Sequence, residues 1–198
     1  MRADARKNRD HLLEVARDVV NEQGADASLR DIARRAGVGL GTLYRHFPRR
    51  EALLEALLRT RFDALTTRAR ELETSTSPDK ALITWLHEIV AVTHNFRGAI
   101  ALMVAAIAEP DSALHASCVT MKAAGTQLLL RAQAEGLTRA DLNGTDLFAL
   151  ISALAWLHDQ PSFATRADHL TNVVASAVLT RSTQDFLREA SGGPAAGR

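Results

Sequence analysis

The chain of 198 residues carries 24 Lys/Arg and 23 Asp/Glu, with 46% apolar residues, 5% aromatics, 5 prolines and 1 cysteine. A lone cysteine, Cys118, excludes an internal disulfide and a cysteine-only zinc site, and points to a reducing cytoplasm as the compartment. The net charge of +1 conceals a division: residues 1–50 hold 11 Lys/Arg against 7 Asp/Glu, and residues 51–198 hold 13 against 16, so a polyanionic partner should meet the first quarter.

The opening MRADARKNRD is polar and basic, and reads as a mobile lead up to about Lys7. Charges run through the first 20 residues, unlike a secretory signal. A helix is expected over 9–23, where Leu12, Leu13, Ala16, Val19 and Val20 recur at three- and four-residue spacing. Gly24 ends it. Ser28 is a natural N-cap, and Asp31 three residues later approximates a capping box. A second helix over 29–36 buries Leu29, Ile32, Ala33 and Ala36. Gly37 breaks it, Val38 plugs the turn, and a third helix starts at Gly39 or Leu40 and closes before Pro48. Leu43 and Phe47 face inward, with Leu40 either beside them or at the edge.

From Arg50 or Glu51 an amphipathic helix runs to Glu73, carrying Leu54, Leu57, Leu58, Phe62 and Leu65. TSTSPD breaks the chain, and Pro78 suits the first turn of the next helix. The most apolar stretch, GAIALMVAAIA, has 11 residues, too few to span a bilayer. Another helix covers 113–134 and stops at Gly136. Asn143 or Thr145 caps the helix to His158, and the last long helix covers 166–187. The tail, SGGPAAGR, is expected to be disordered. The fold class is therefore all-α, with three short helices at the N-terminus and a larger helical remainder, about nine helices in total. The expected division is 1–50 for the first domain, 51–190 for the second and 191–198 for the tail.

Helix, short glycine turn, helix is the local pattern of a helix-turn-helix, although an ordinary helical hairpin has the same spacing. Surface chemistry separates the two. Arg30, Arg34, Arg35, Arg45, Arg49 and Arg50 surround the unit, and Thr42, Tyr44 and His46 lie on or near the third helix. The stretch SLRDIARRAGVGLGTLYRHFPRREALLEALL closely resembles the tetracycline-repressor (TetR) family of bacterial transcription regulators. The pieces that carry the likeness are Ile32-Ala33, Ala36-Gly37-Val38, Gly41-Thr42-Leu43-Tyr44, His46-Phe47 and Arg50-Glu51-Ala52-Leu53. The resemblance covers residues 9–58. It implies a three-helix DNA-binding domain, a fourth helix linking it to an all-helical regulatory domain, a homodimer, and a repressor released from a double-stranded DNA operator by a small-molecule effector. Two positions depart from the family pattern: Gly39 stands where Ser is common and Arg50 where Lys is usual.

Seven residues are candidates for DNA contact. The resemblance makes Arg30 a base reader, for which a bidentate contact to guanine is the natural chemistry, and makes Tyr44 and His46 phosphate contacts. Tyr44 has a second reading, in which its ring braces the domain. Arg50 keeps the positive charge for a phosphate, as a fork in place of a point charge. Thr42 can bond phosphate or base, Leu40 can touch only apolar base edges, and Gly41 leaves the helix start bare for close approach. The competing account of the glycines is steric relief in a crowded turn. The basic lead, Arg2, Arg6, Lys7 and Arg9, either follows the DNA backbone, enters a minor groove or stays an idle flexible tail.

In the second domain, Trp85, His87, Met103, Ile107, Cys118, Met121 and Gln127 are candidates for an effector pocket, with core packing as the alternative for each. Phe148, Ile151 and Leu154, with Leu170, Val174 and Val178, are candidates for a dimer interface built from the last two helices, unless that pair is buried within one chain. No phosphate loop, nucleotide fingerprint or metal cluster is present in the sequence, so no cofactor, metal or membrane partner is expected. An enzyme is the main competing class, but Cys118 has no partner signal as a nucleophile. Activation in place of repression, and an architectural role without effector, stay open.

Overall fold

The structure, a computed structural model, describes residues 2–24, 26–158 and 160–180. The described residues form nine α-helices: α1 (Arg2–Gln23), α2 (Leu29–Arg35), α3 (Leu40–His46), α4 (Arg50–Leu72), α5 (Pro78–Asn95), α6 (Arg97–Ala108), α7 (Ala113–Ala134), α8 (Gly144–His158) and α9 (Ala167–Val178). A single 3-10 turn, Ala164–Arg166, precedes α9. The chain divides into two compact units. One holds residues up to Ala64 with Val92–Thr120, and the other holds Leu65–Ala91 with residues from Met121 onward.

In the first unit the stripe expected on α1 is the buried one: Leu12, Ala16, Val19 and Val20 are all buried, as are Ile32 and Ala33 of α2, Leu43 of α3 and Leu53, Leu54, Leu57 and Leu58 of α4. Two expectations need correction here. Helix α1 begins at Arg2, so the basic lead is helical. Ala, Arg and Lys are strong helix formers and no breaker separates them from the stripe. Ser28 sits at the N-cap of α2 with extended backbone but makes no side-chain cap bond. The capping box fails because Asp31 turns its carboxylate to Arg34, Arg35 and Gln23.

The second unit is centred on Trp85, which is fully buried. Its indole Nε1 donates to the Leu65 carbonyl at 2.9 Å, and its ring meets Phe148 edge-on at 6.0 Å. The six-membered ring lies against Gly125 of α7, where an added Cβ would fall 2.3 Å from a ring carbon. Asn143 caps α8 reciprocally with Asp146: its side-chain oxygen accepts from the Asp146 amide at 3.1 Å, and its own amide donates to the Asp146 carboxylate at 3.0 Å. The last helix stops earlier than expected. Leu179 leaves it to pair with Thr138 in an antiparallel bridge, closed by Arg139 N–H to the Val178 carbonyl at 3.0 Å and Thr180 N–H to the Leu137 carbonyl at 3.1 Å. The expected helical residues 181–187 and the tail 191–198 lie outside the described residues.

Candidate nucleic-acid interface

The turn between α2 and α3 has a defined chemistry. Gly37 has φ of +66°, a conformation costly for any residue with a Cβ. Its N–H donates to the Arg34 carbonyl at 3.1 Å, and Val38 N–H donates to the Ala33 carbonyl at 3.0 Å. This nested pair is the Schellman arrangement, and half-buried Val38 supplies the apolar contact that accompanies it. Helix α3 then starts at Gly39, whose carbonyl accepts from Thr42 at 2.9 Å and Leu43 at 3.2 Å. A Cβ on Gly39 or Gly41 would meet nothing within 4 Å, so crowding within the chain does not account for either glycine.

Leu43 and Phe47 anchor the inner face of this segment, with Phe47 only 2% exposed. The Arg9 guanidinium lies over the Phe47 ring at 5.3 Å, a cation–π contact that gives this lead residue a structural place. On the outer side Gly41, Tyr44 and Arg45 are exposed at three- and four-residue spacing, while Leu40, Thr42 and His46 are half-buried. Tyr44 is 44% exposed. Leu40 therefore occupies the edge of the core. Arg30 is exposed near the start of α2. Arg50 is half-buried, and one arm of its guanidinium donates to the Ala27 carbonyl, joining the start of α4 to the segment before α2.

The remaining arginines divide by their partners. Arg34 pairs with Asp31, and Arg35 bridges Glu22 at 2.6 Å and Asp31 at 3.1 Å. The bond from Arg34, then that from Gln23, holds the Asp31 carboxyl below the usual carboxylate range. Whatever stability this cluster contributes is present above the unfolded-state pKa of Asp31 and is lost as the pH falls through the lowered one. Arg45 and Arg49 are exposed.

The effector candidates are divided between the two units. Met103, Ile107 and Cys118 belong to the first unit, and Trp85, His87, Met121 and Gln127 to the second. Trp85, Met103, Cys118 and Met121 are buried, His87 and Ile107 are half-buried, and Gln127 is exposed. A groove of about 700 Å³ between α7 and α8 is lined by other residues, among them Lys122, Thr126, Thr145, Phe148 and Ser152. Of the dimer candidates, Ile151, Leu154 and Val178 are buried within the chain, and Phe148, Leu170 and Val174 are half-buried. The large apolar side chains presented outward on α8 and α9 are Trp156, 59% exposed, and Val173. Val173 belongs to the apolar line that the sequence places on the last helix, whereas Trp156 did not stand in the candidate set. Helical register is the signal that finds it: Trp156 shares a face with exposed Ala149 and Ser152, away from Ile151 and Leu154. Among the described residues no group of three or more His, Cys, Asp or Glu could hold a metal ion, and no helix is long and apolar enough to cross a membrane.

Residues 12–57 match the model of the bacterial regulatory proteins of the tetR family. Residues 77–178 match the C-terminal domain of SbtR-like transcriptional regulators. Among solved structures, the TetR transcriptional regulator SCO0520 from Streptomyces coelicolor is 34% identical, with 87% of this chain and 99% of that chain covered and a TM-score of 0.69. The TetR regulator from Mycobacterium vanbaalenii is 30% identical, with 90% and 99% covered and a TM-score of 0.66. An HTH-type transcriptional regulator of Staphylococcus aureus (strain USA300) is 34% identical over 74 residues, which are 37% of this chain and span only 40% of that relative's length. One family model matches 12–57, a second matches 77–178, and a solved relative 34% identical covers 87% of the chain: the chain belongs to the TetR family of helix-turn-helix transcriptional regulators.

Proposed function

We propose that the protein binds a double-stranded DNA operator sequence-specifically as a homodimer and represses transcription until a small-molecule effector releases it. The observation that carries the DNA reading is the segment 37–47. A left-handed glycine turn sets α3 against a buried Leu43–Phe47 anchor, and the opposite face offers Gly41, Tyr44 and Arg45 outward. We assign DNA reading to residues 1–50 and effector binding and pairing to 51–190. Arg30 reads a base, Thr42 bonds phosphate or base, and Tyr44, His46 and Arg50 hold phosphate. Bare Gly41 lets the backbone approach the duplex, and Leu40 meets apolar base edges. Exposed Trp156 and Val173 support pairing through α8 and α9, with half-buried Phe148, Leu170 and Val174 beside them.

Selection of bound fragments from a random duplex library tests this. A palindrome with half-sites set by helical-turn spacing is the expected product, and recovery of unrelated sequences would refute it. Repeating the selection with Arg30→Ala should relax preference at one position per half-site, with a loss of roughly 1–3 kcal/mol in discrimination. Tyr44→Phe should weaken all operator variants alike, by about 0.5–1.5 kcal/mol. A base-selective loss for Tyr44→Phe would move it to the readers. Arg50→Ala should lower the salt slope of log K by about 0.9 for the one phosphate lost. It should also reduce stability, because the Ala27 contact goes with it.

Release requires an effector that prefers the non-binding geometry. The proposed route is α4, which continues without a break from the reading segment into the second unit. A tenfold weakening of operator binding corresponds to about 1.4 kcal/mol of coupling. Titrating ligands while following tryptophan fluorescence and operator affinity together measures it. The expected result is that both signals saturate at one ligand concentration. A ligand that saturates the fluorescence and leaves affinity unchanged is not the effector.

A further inference from the structure

Six arginines lie between residues 30 and 50, and they differ in what their guanidinium groups touch. Arg34 and Arg35 are committed within the chain, Arg34 to Asp31, and Arg35 to Glu22 at 2.6 Å and Asp31 at 3.1 Å. Two arginines there stand against two carboxylates, so this end of α2 has no net positive charge with which to draw a polyanion. Arg50 donates to the Ala27 carbonyl. Arg45 differs from all three. It is exposed on α3 and makes no ion pair or hydrogen bond among the described residues. No acidic residue occurs from Gly41 to Arg49.

The helix fixes where Arg45 can reach. Leu43 and Phe47, two residues before and two after it, are buried and hold the inner side of the segment. A long side chain on a helix leans toward the N-terminus, over the residues three and four positions earlier. For Arg45 these are half-buried Thr42 and exposed Gly41. A Cβ on Gly41 would meet nothing within 4 Å, so no other part of the chain fills the space along which Arg45 extends. The fork is thus carried back toward the start of α3, the end of a recognition helix that meets base edges.

We propose that Arg45 is a base reader, making a bidentate contact to the O6 and N7 acceptors of one guanine in each operator half-site, and that Arg34 and Arg35 read no base. The inference rests on the DNA reading given above and goes beyond it in naming the residue and the base. Two parallel N–H groups of a guanidinium match the two acceptors that guanine shows in the major groove. A lysine ammonium has the charge without the planar fork. Arg30 stands on α2 and Arg45 on α3, so the half-site carries two separate preferences.

The test is selection from a random duplex library with the full chain and with Arg45→Ala, Arg45→Lys, Arg34→Ala and Arg35→Ala. Affinities are then titrated on the parent's operator and on operators altered at single base pairs. The parent should select a guanine whose preference falls roughly tenfold or more in Arg45→Ala, at a position other than the one relaxed by Arg30→Ala. The salt slope of log K should stay near the parent's, because a base contact neutralises no phosphate. Arg45→Lys should keep the slope and still lose most of the preference. Arg34→Ala and Arg35→Ala should keep every preference. The Tm of Arg45→Ala should match the parent's, which shows that the loss is not one of folding. Equal weakening of all operators by Arg45→Ala, with a flatter salt slope, would make Arg45 a phosphate contact and overturn the proposal. Retention of every preference in Arg45→Ala overturns it too, as does loss of one in Arg34→Ala or Arg35→Ala. In each of these cases the parent still selects a palindrome and the DNA reading stands; a parent that selects no sequence overturns both.

Discussion

Phe47→Ala should lower the stability of the protein by about 3–5 kcal/mol, a large share of the roughly 5–15 kcal/mol that holds a typical domain together. Phe47 follows α3 as its C-cap, its N–H donates to the Leu43 carbonyl at 2.8 Å, and its ring is buried beneath Arg9. Removing the ring empties the space that sets α3 against its neighbours. Operator binding should fall for every duplex sequence alike, because the reading residues lose their mutual geometry while none of them is changed. Urea denaturation and operator titration on the same sample check this. Phe47→Leu is the control: a change of shape at similar volume costs under about 1.5 kcal/mol. If Phe47→Ala kept full stability and still lost binding, Phe47 would be a DNA contact and the anchor role would fail.

Trp85→Ala should be of similar size, about 3–5 kcal/mol, with Tm falling by several degrees. The indole is 0% exposed, donates to the Leu65 carbonyl and fills the space left by Gly125. A tryptophan on the wall of an open pocket would give a far smaller loss, and a larger one only with ligand present. Thermal unfolding in the absence of any ligand therefore decides whether Trp85 is core or pocket wall. The partner substitution, Gly125→Val, should cost about 1–3 kcal/mol through overpacking, because its Cβ would fall 2.3 Å from the Trp85 ring. Since both changes act on one contact, the double variant should be less damaging than the sum of the two. A coupling of at least about 0.5 kcal/mol is expected, and strict additivity would show that the two residues do not share the contact. Emission from Trp85 should be blue-shifted and insensitive to quencher, and that from half-exposed Trp156 the reverse.

What the sequence by itself determined lies where the chain answers to its near neighbours. The buried stripe of α1, the stop at Gly24, the break at Gly37 and the start of α5 at Pro78 all follow from spacing, φ preference and capping within a few residues. The same holds for residues 40–47, whose buried anchors and outward residues alternate with helical period. Tertiary structure decided what depends on distant partners. Asp31 had the spacing of a capping box, yet two arginines on its own helix and Gln23 outcompete the Ser28 amide for its carboxylate. The apolar pattern of α9 continues past Val178, but Thr138, some forty residues earlier, offers Leu179 a strand-like partner and the helix ends there. Gly125 reads as a weak point in a helix until the Trp85 ring is seen to occupy the place of its side chain. Arg61 stands between Leu58 and Phe62 on α4, and only the approach of Phe96 and α1 buries its Nε. A charge or a glycine carries no mark of its partner in its own neighbourhood, because burial and pairing are properties of surfaces that meet only when the helices do.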